Sequence, residues 1–263
     1  MSALKLPRDF LIDEPNNGGK FTLDQLAAPN DQIYTVSLNS PPENRITPKF
    51  VTTLIEILDV VERNIPRTAV LVSMSSIVKF YSNGFNLDSI APATCPEFPV
   101  YWHKLLIRLL TLPIPTISYM NGHTFAAGFM LAMHQDYRVM SPSRCWCCLN
   151  EIDLGMEIHP SISSIFRAKL DARTYRTAIL EGKRFTAQEA LQSGVVDAIG
   201  DMSDVIKLVK DRNLVGKGSK NVYGLLRDEM YRETIGLLER YPKFTGMQRD
   251  DLEEEGLPRW SKL

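Results

Sequence analysis

Apolar residues recur along the chain with two periods that take turns. In "IYTVSL" (33–38) polar and apolar residues alternate, which predicts a β-strand, and "SPPENR" breaks it. Over 47–63 the apolar positions 50, 51, 54, 55, 57, 58 and 61 keep the three-and-four spacing of an amphipathic helix. "TAVLVSM" (68–74) is a short continuous apolar run and predicts a buried strand. A helical pattern over 101–112 is stopped by Pro113 and Pro115, and "TISYM" (116–120) predicts another buried strand, ending at the turn pair Asn121 and Gly122. Further on come a short strand near "YRVM", a turn at "SPSR" and an apolar segment "CWCCL". A helix then opens with a capping box, Thr186 to Glu189, and ends at Gly194 before a "VVDAI" strand. Residues 203–240 are mostly helical in pattern. Strands alternating with helices predict an α/β fold. No linker or repeat marks a second globular domain. The pattern divides into an irregular leader (1–30, with "NNGG"), a core (31–200), a helical C-terminal region (201–260) and a terminal tripeptide (261–263).

Composition narrows the function classes. The chain has 263 residues, 44% hydrophobic and 23% charged, enough for one sizeable core. A net charge of -1 gives no reason to expect nucleic acid or an anionic membrane as partner. The cysteines at 95, 145, 147 and 148 lack the paired spacing of a zinc site, so buried free thiols and no metal are expected. No basic-then-apolar leader and no window of ~18 apolar residues is present, so a soluble, unsecreted chain is expected. The last three residues, Ser261, Lys262 and Leu263, spell the address read by the peroxisomal import receptor. They follow the polar "RDDLEEEGLPRW", whose acidic run reads as solvated.

Two glycine-bearing turns carry the candidate chemistry. "FYSNGFNL" (80–87) follows the strand at 68–74, and "NGHTFAAGF" follows the strand at 116–120. Ligands of parallel α/β folds collect at the carboxyl ends of strands, and a helix N-terminus offers free N–H groups. Small residues at Ala126, Ala127 and Gly128 would let a ligand approach the backbone, and two N–H groups could pinch one developing oxyanion. Close helix packing alone would also account for them.

These segments resemble, in order, four elements of the crotonase (enoyl-CoA hydratase/isomerase) superfamily: "FYSNGFNL", "PTISYMNGHTFAAGFMLAMHQDYRVM", "LNEIDLGM" and "GKRFTAQEALQSGVVDAI". The resemblance covers about residues 32–200. It implies a spiral of ββα units with a helical C-terminal region, usually assembled as trimers or hexamers, that binds acyl-coenzyme A thioesters. It implies that the amides of Phe85 and Ala127 form the oxyanion hole. Ser82, Asn83, Gly84, Asn86, Leu87, His123, Gly128, Met130 and Asn150 would line the substrate, with His123 facing the acyl pocket. Asn86 stands where the family usually has aspartate. Coenzyme A would enter as part of the substrate, and no separate cofactor is implied.

The carboxylates decide which reaction the resemblance implies. Hydratases of the family use two glutamates; the first of those positions is Met130 here, and a thioether cannot activate water. The second falls on Glu151. One base with one oxyanion hole suits the Δ3,Δ2-enoyl-CoA isomerase reaction, a proton shuttle for β-oxidation of unsaturated fatty acids. An apolar setting from Phe129, Met130 and Trp146 would raise the pKa of Glu151. Glu157 and Asp153 are second choices, and His134 and His159 read as packed residues. A hydratase-like or thioesterase-like enzyme and a noncatalytic acyl-CoA binder are the rival readings.

Overall fold

The computed structural model describes residues 4–13, 18–143 and 145–240. The two strands expected at 33–38 and 68–74 form β3 (Ile33–Asn39) and β4 (Val70–Ser75) and pair in parallel, Ile33 opposite Val70 through Leu38 opposite Ser75. Beside β4 lie β6 (Thr116–Met120), β8 (Tyr137–Met140) and β10 (Ala198–Ile199), all parallel. Antiparallel β1 (Arg8–Ile12) and β2 (Gly19–Gln25) complete a seven-stranded sheet in the order β1-β2-β3-β4-β6-β8-β10. The leader is therefore not irregular. Phe21 and Leu23 are fully buried between the more exposed Lys20, Thr22 and Asp24, a period-two signal that "NNGG" obscures in the sequence.

A second sheet sits at the strand exits. β5 (Phe80–Ser82), β7 (His123–Phe125) and β9 (Cys147–Cys148) are parallel, and a bridge from Ile46 to Phe85 adds a further rung. Each turn of the chain thus gives one strand to the large sheet and one to the small sheet before a helix follows, which is the ββα spiral. The periodicity of a strand two or three residues long cannot be read from sequence.

Helices close the spiral. α1 (Pro48–Asn64) starts at Thr47, whose hydroxyl accepts from the Phe50 amide at 3.1 Å. α2 is the single turn Leu87–Ile90, and α3 (Phe98–Thr111) begins three residues before its apolar pattern and stops before Pro113. α4 (Ala127–Met133), α5 (Pro160–Lys169), α6 (Ala172–Leu180) and α7 (Ala187–Gln192) follow, the last with the expected Thr186–Glu189 capping box. α8 (Met202–Asp211), α9 (Tyr223–Met230) and α10 (Arg232–Arg240) form the helical C-terminal part. Alternation along β4 sends Leu71 into the main core, and Val70 and Val72 into a smaller one beneath α8. All four cysteines are free, three buried and Cys95 half-buried. The terminal tripeptide 261–263 and the acidic run before it lie outside the described residues.

One buried side chain ties both sheets together. Asn44 has φ of 48°, a left-handed conformation that asparagine tolerates. Its Oδ1 accepts from the Ser40 amide at 2.7 Å, and its Nδ2 donates to Ser75 Oγ at 2.8 Å and to the Tyr81 carbonyl at 3.0 Å. The Ser82 hydroxyl donates back to its carbonyl at 2.8 Å. Asn44→Ala leaves several buried polar groups unsatisfied and should cost about 3 kcal/mol, since each orphaned group costs roughly 1–3 kcal/mol. In a urea titration the midpoint should fall while the slope stays constant.

Candidate active site

Each glycine-bearing turn is locked by its own chemistry. Asn121 exchanges two hydrogen bonds with the Ser75 backbone, accepting at 2.9 Å and donating at 2.7 Å, which fastens the end of β6 to the end of β4. A Cβ on Gly122 would lie 2.7 Å from the backbone of Phe80 and Tyr81, so only glycine fits there. A Cβ on Gly128 would lie 2.6 Å from the Ser82 carbonyl oxygen. Gly84, at φ of +79°, brings its turn so close that a Cβ would lie 3.0 Å from Ala126 Cβ and 3.5 Å from the Ala127 nitrogen. The small residues at the start of α4 thus let two strand exits touch.

Beside that contact Phe85 lines a cavity, while Ala127 is fully buried and does not. Neither the Phe85 nor the Ala127 N–H has a hydrogen-bond acceptor among the described residues. The Phe85 residue is fixed from the other side: Arg45 donates to its carbonyl at 3.2 Å and is held in turn by Glu43, which also accepts from Asn83 Nδ2 at 2.7 Å. Phe85 packs edge-on against Phe98 and Trp102, with centroids 5.4 and 5.2 Å apart.

Phe85, Ala126 and Met130 line a cavity of about 510 Å³ together with Asn83, Leu87, Asn150 and Glu151. α2 and α3 supply further apolar wall through Ile90, Phe98 and Trp102. Leu154 and Met156 line it while exposed, which marks where it opens to solvent. Glu151 follows β9 in a turn whose carbonyl accepts from the amides of Leu154 and Met156 at 3.1 and 2.9 Å. Its side chain is otherwise isolated: the residue is 6% exposed and Oε2 has no partner, as does Asn150 Oδ1. Burial pushes its carboxyl above the ordinary glutamate range, opposed only by a backbone hydrogen bond. Glu157 also lines the cavity, whereas Asp153 does not.

Several expected substrate contacts sit elsewhere. His123 is not on the cavity wall; its ring stacks on Trp146 at 5.0 Å and on Phe125 at 5.1 Å, and of these three only Phe125 reaches the wall. Trp146 therefore does not surround Glu151, and neither does Phe129, which is fully buried edge-on against Phe166. Ser82 and Gly128 lie behind the wall, packed on each other, and Gly84 lies in the same contact. Asn86 caps α2, accepting from the Ser89 amide at 3.2 Å. His134 is buried with Nδ1 2.7 Å from the Met130 carbonyl, its pKa pushed down to about 3 by burial. The sequence reading passed over Asn44, Arg45 and His103. Only the asparagine in the turn "PPEN" carried a local signal, because the other two act through contacts far along the chain.

A ββα spiral with a buried carboxylate in a cavity at its strand exits is the architecture of crotonase-fold enzymes. The chain belongs to the enoyl-CoA hydratase/isomerase family, whose model matches residues 29–237. It is 29% identical over 220 residues to the peroxisomal enoyl-CoA delta isomerase 2 of Arabidopsis thaliana, covering 78% of this chain and 91% of the relative. Its fold is similar to that of the enoyl-CoA isomerase of Mycobacterium tuberculosis, with TM-score 0.75 at 20% identity, covering 87% of this chain and 98% of the other. The human mitochondrial delta3-delta2-enoyl-CoA isomerase gives TM-score 0.73 at 20% identity, covering 90% and 99%.

Ala126 carries a cost that the site imposes. Its φ of 47° and ψ of −122° belong to a region that glycine occupies freely and alanine does not. Ala126→Gly should therefore raise the unfolding free energy by about 1 kcal/mol, read as a higher denaturation midpoint. A fall in stability would mean that the Ala126 methyl contributes more by packing against Gly84 than its backbone loses.

Proposed function

We propose that the protein is a Δ3,Δ2-enoyl-CoA isomerase acting in the β-oxidation of unsaturated fatty acids. The observation that carries this reading is the isolation of Glu151: one buried, unpaired carboxylate with a raised pKa, facing Met130 across the cavity. The thioester oxygen would accept from the amides of Phe85 and Ala127. Glu151 would take a proton from C2 of the 3-enoyl thioester, leaving a dienolate whose charge gathers on that oxygen. The same carboxyl would return the proton to C4, giving the trans-2-enoyl thioester without gain or loss of atoms. Paired amides aimed at a developing oxyanion typically contribute several kcal/mol in a water-poor site. Leu87, Asn83 and Asn150 would contact the acyl thioester, and no cofactor besides the coenzyme A of the substrate is required.

Glu157 favours a second reading, hydration, because it gives the same cavity another carboxylate. It is exposed where Glu151 is buried. The terminal Ser261, Lys262 and Leu263, together with peroxisomal relatives, support import into peroxisomes through the receptor for that tripeptide. Assembly as a homotrimer or homohexamer is supported by the outer face of α9, where Leu225 and Leu226 are 69% and 65% exposed.

Purified protein incubated with trans-3-hexenoyl-CoA should form the conjugated 2-enoyl thioester with unchanged mass. Glu151→Gln should lose about 10³-fold in kcat, in the range expected for a proton-transfer group. A product heavier by one water would replace isomerisation with hydration, and free acid would indicate a thioesterase. Absence of turnover together with acyl-CoA binding that is insensitive to Glu151→Gln would indicate a noncatalytic binder.

The raised pKa of Glu151 makes two pH predictions. Only the ionised base accepts the C2 proton, so kcat should rise with pH through an acidic limb lying above the ordinary glutamate value. Below the unfolded-state pKa both states hold the proton. Between that value and the higher folded one the unfolded state alone releases it, so stability falls as pH rises. Glu151→Gln removes this penalty, and the variant should melt higher than wild type at neutral pH while matching it at the acidic end. A variant that melts lower at neutral pH would show that the carboxylate is favourably paired.

A further inference from the structure

The turn that carries Glu151 also carries apolar side chains out to solvent. Ile152, Leu154 and Met156, three of the five positions after Glu151, are exposed at 48%, 55% and 44%. Single exposed apolar residues are ordinary, but a run of them beside a cavity marks a surface that an apolar body covers. Leu154 and Met156 also line the cavity, so this surface continues its inner wall. Gly155 lies between them at φ of 65°, and a Cβ there would meet nothing within 4 Å, so the tip of the turn projects away from the fold.

The same turn holds the backbone of the base. The Leu154 amide donates to the carbonyls of Asn150 and Glu151 at 3.2 and 3.1 Å, and the Met156 amide donates to the Glu151 carbonyl at 2.9 Å. Whatever settles on Leu154 and Met156 therefore bears on Glu151 through one turn of backbone. Charge decides what settles there. Among the described residues the cavity wall holds no lysine and one arginine, Arg45, which binds the Phe85 carbonyl. Glu157 follows Met156 on the wall, and Asp153 precedes Leu154 in the turn. A coenzyme A handle, with its phosphates, is drawn toward Arg45 and repelled by the two carboxylates. The apolar rim is left to the hydrocarbon end of the thioester.

We propose that this turn reads the length of the acyl chain: hydrocarbon beyond C4 covers Leu154 and Met156, and the covered turn holds Glu151 where it transfers the proton. The inference rests on the isomerase reading above and names long-chain 3-enoyl-CoA thioesters as the substrate class. Leu154 and Met156 contact the chain but not its reacting carbons, so they are positioning residues for Glu151. A short chain reaches Glu151 but leaves the rim wet, and the turn then has only its own backbone bonds to hold it. A long chain buries the rim, so binding energy from carbons remote from the reaction is expressed in the rate.

Single turnovers with the full chain in excess over trans-3-hexenoyl-, 3-octenoyl-, 3-decenoyl- and 3-dodecenoyl-CoA separate proton transfer from binding and product release. Burying one methylene is worth roughly 4-fold. The maximal rate constant in wild type should therefore rise by at least about 10-fold from the hexenoyl to the dodecenoyl thioester. In Leu154→Ser and in Met156→Ser this ratio should fall toward one, whereas Leu154→Met and Met156→Leu should keep it. A merely structural role would scale the rate constants of all the chains together and preserve the ratio in the serine variants, which overturns the inference. A length effect confined to the dissociation constant would make the rim a binding surface alone and overturn the positioning role. Equal rate constants for all chains in wild type overturn the inference and leave the isomerase reading standing. No conversion of any chain overturns that reading and this inference with it.

Discussion

A backbone contact with no room for a side chain governs the geometry around the cavity. Gly128 lies so near Ser82 that even a methyl group would sit 2.6 Å from its carbonyl oxygen, inside van der Waals contact distance. Because of that contact the exits of β5 and β7 lie side by side, and the amides at Phe85 and Ala127 are left without acceptors. An unpaired buried amide costs roughly 1–3 kcal/mol, and an alanine held in a glycine conformation costs a comparable amount. The surrounding structure offsets these costs with groups that do not touch the cavity. Asn44 locks the first turn to both sheets, Asn121 locks the second to β4, and Arg45 anchors the carbonyl of Phe85. Strain is concentrated where two turns meet, and satisfied polar contacts surround it.

The small sheet explains why those locks are needed. Its strands are two or three residues long, too short to hold a register by themselves. Each instead follows a mostly buried strand of the large sheet, and the connection between the two sheets determines where it lands. Placing the two amides thus depends on backbone at the edges of the main sheet more than on the side chains of the cavity. This is consistent with a site in which phenylalanine and alanine can supply the same chemical group.

Long periodic segments were legible in the sequence because their packing is repetitive. The helix over Pro48–Asn64, the strands over Thr116–Met120 and Tyr137–Met140, and the capping box at Thr186 all follow local rules that hold in the folded chain. Of the residues singled out through the order of four motifs, Glu151, Phe85, Met130 and Leu87 line the cavity, whereas Ala127 is buried off its wall. Position in a motif could not say which way a side chain turns. His123 and Trp146 form their own stack outside the cavity, and Asn86 spends its side chain on a helix cap. Arg45 and His103 were illegible for a different reason. Their roles depend on Phe85, Ser161 and Leu238, residues 40, 58 and 135 positions away. The strands of the leader were hidden because "NNGG" reads as an irregular break when the alternation after it is ignored.

In the proposed isomerase, the isolation of Glu151 is a compromise between stability and proton transfer. Its backbone is firmly held, with the carbonyl accepting two amides, yet its carboxyl has no cation and Oε2 has no donor. A lysine or arginine beside it would stabilise the ionised form and the fold, but it would also depress the pKa and leave a weak base. Burial without a partner works in the opposite direction, raising proton affinity until taking and returning a proton become more evenly balanced. The chain holds cations nearby in the fold, but it spends them elsewhere: Arg138 and Arg227 pair with Asp197 and Asp136, and Lys169 caps the carbonyls of Met133 and Gln135. Engaged there, those cations leave the carboxyl of Glu151 without a salt bridge. In the proposed reaction, the amides of Phe85 and Ala127 would act on an incoming carbonyl oxygen more strongly in such surroundings than in water.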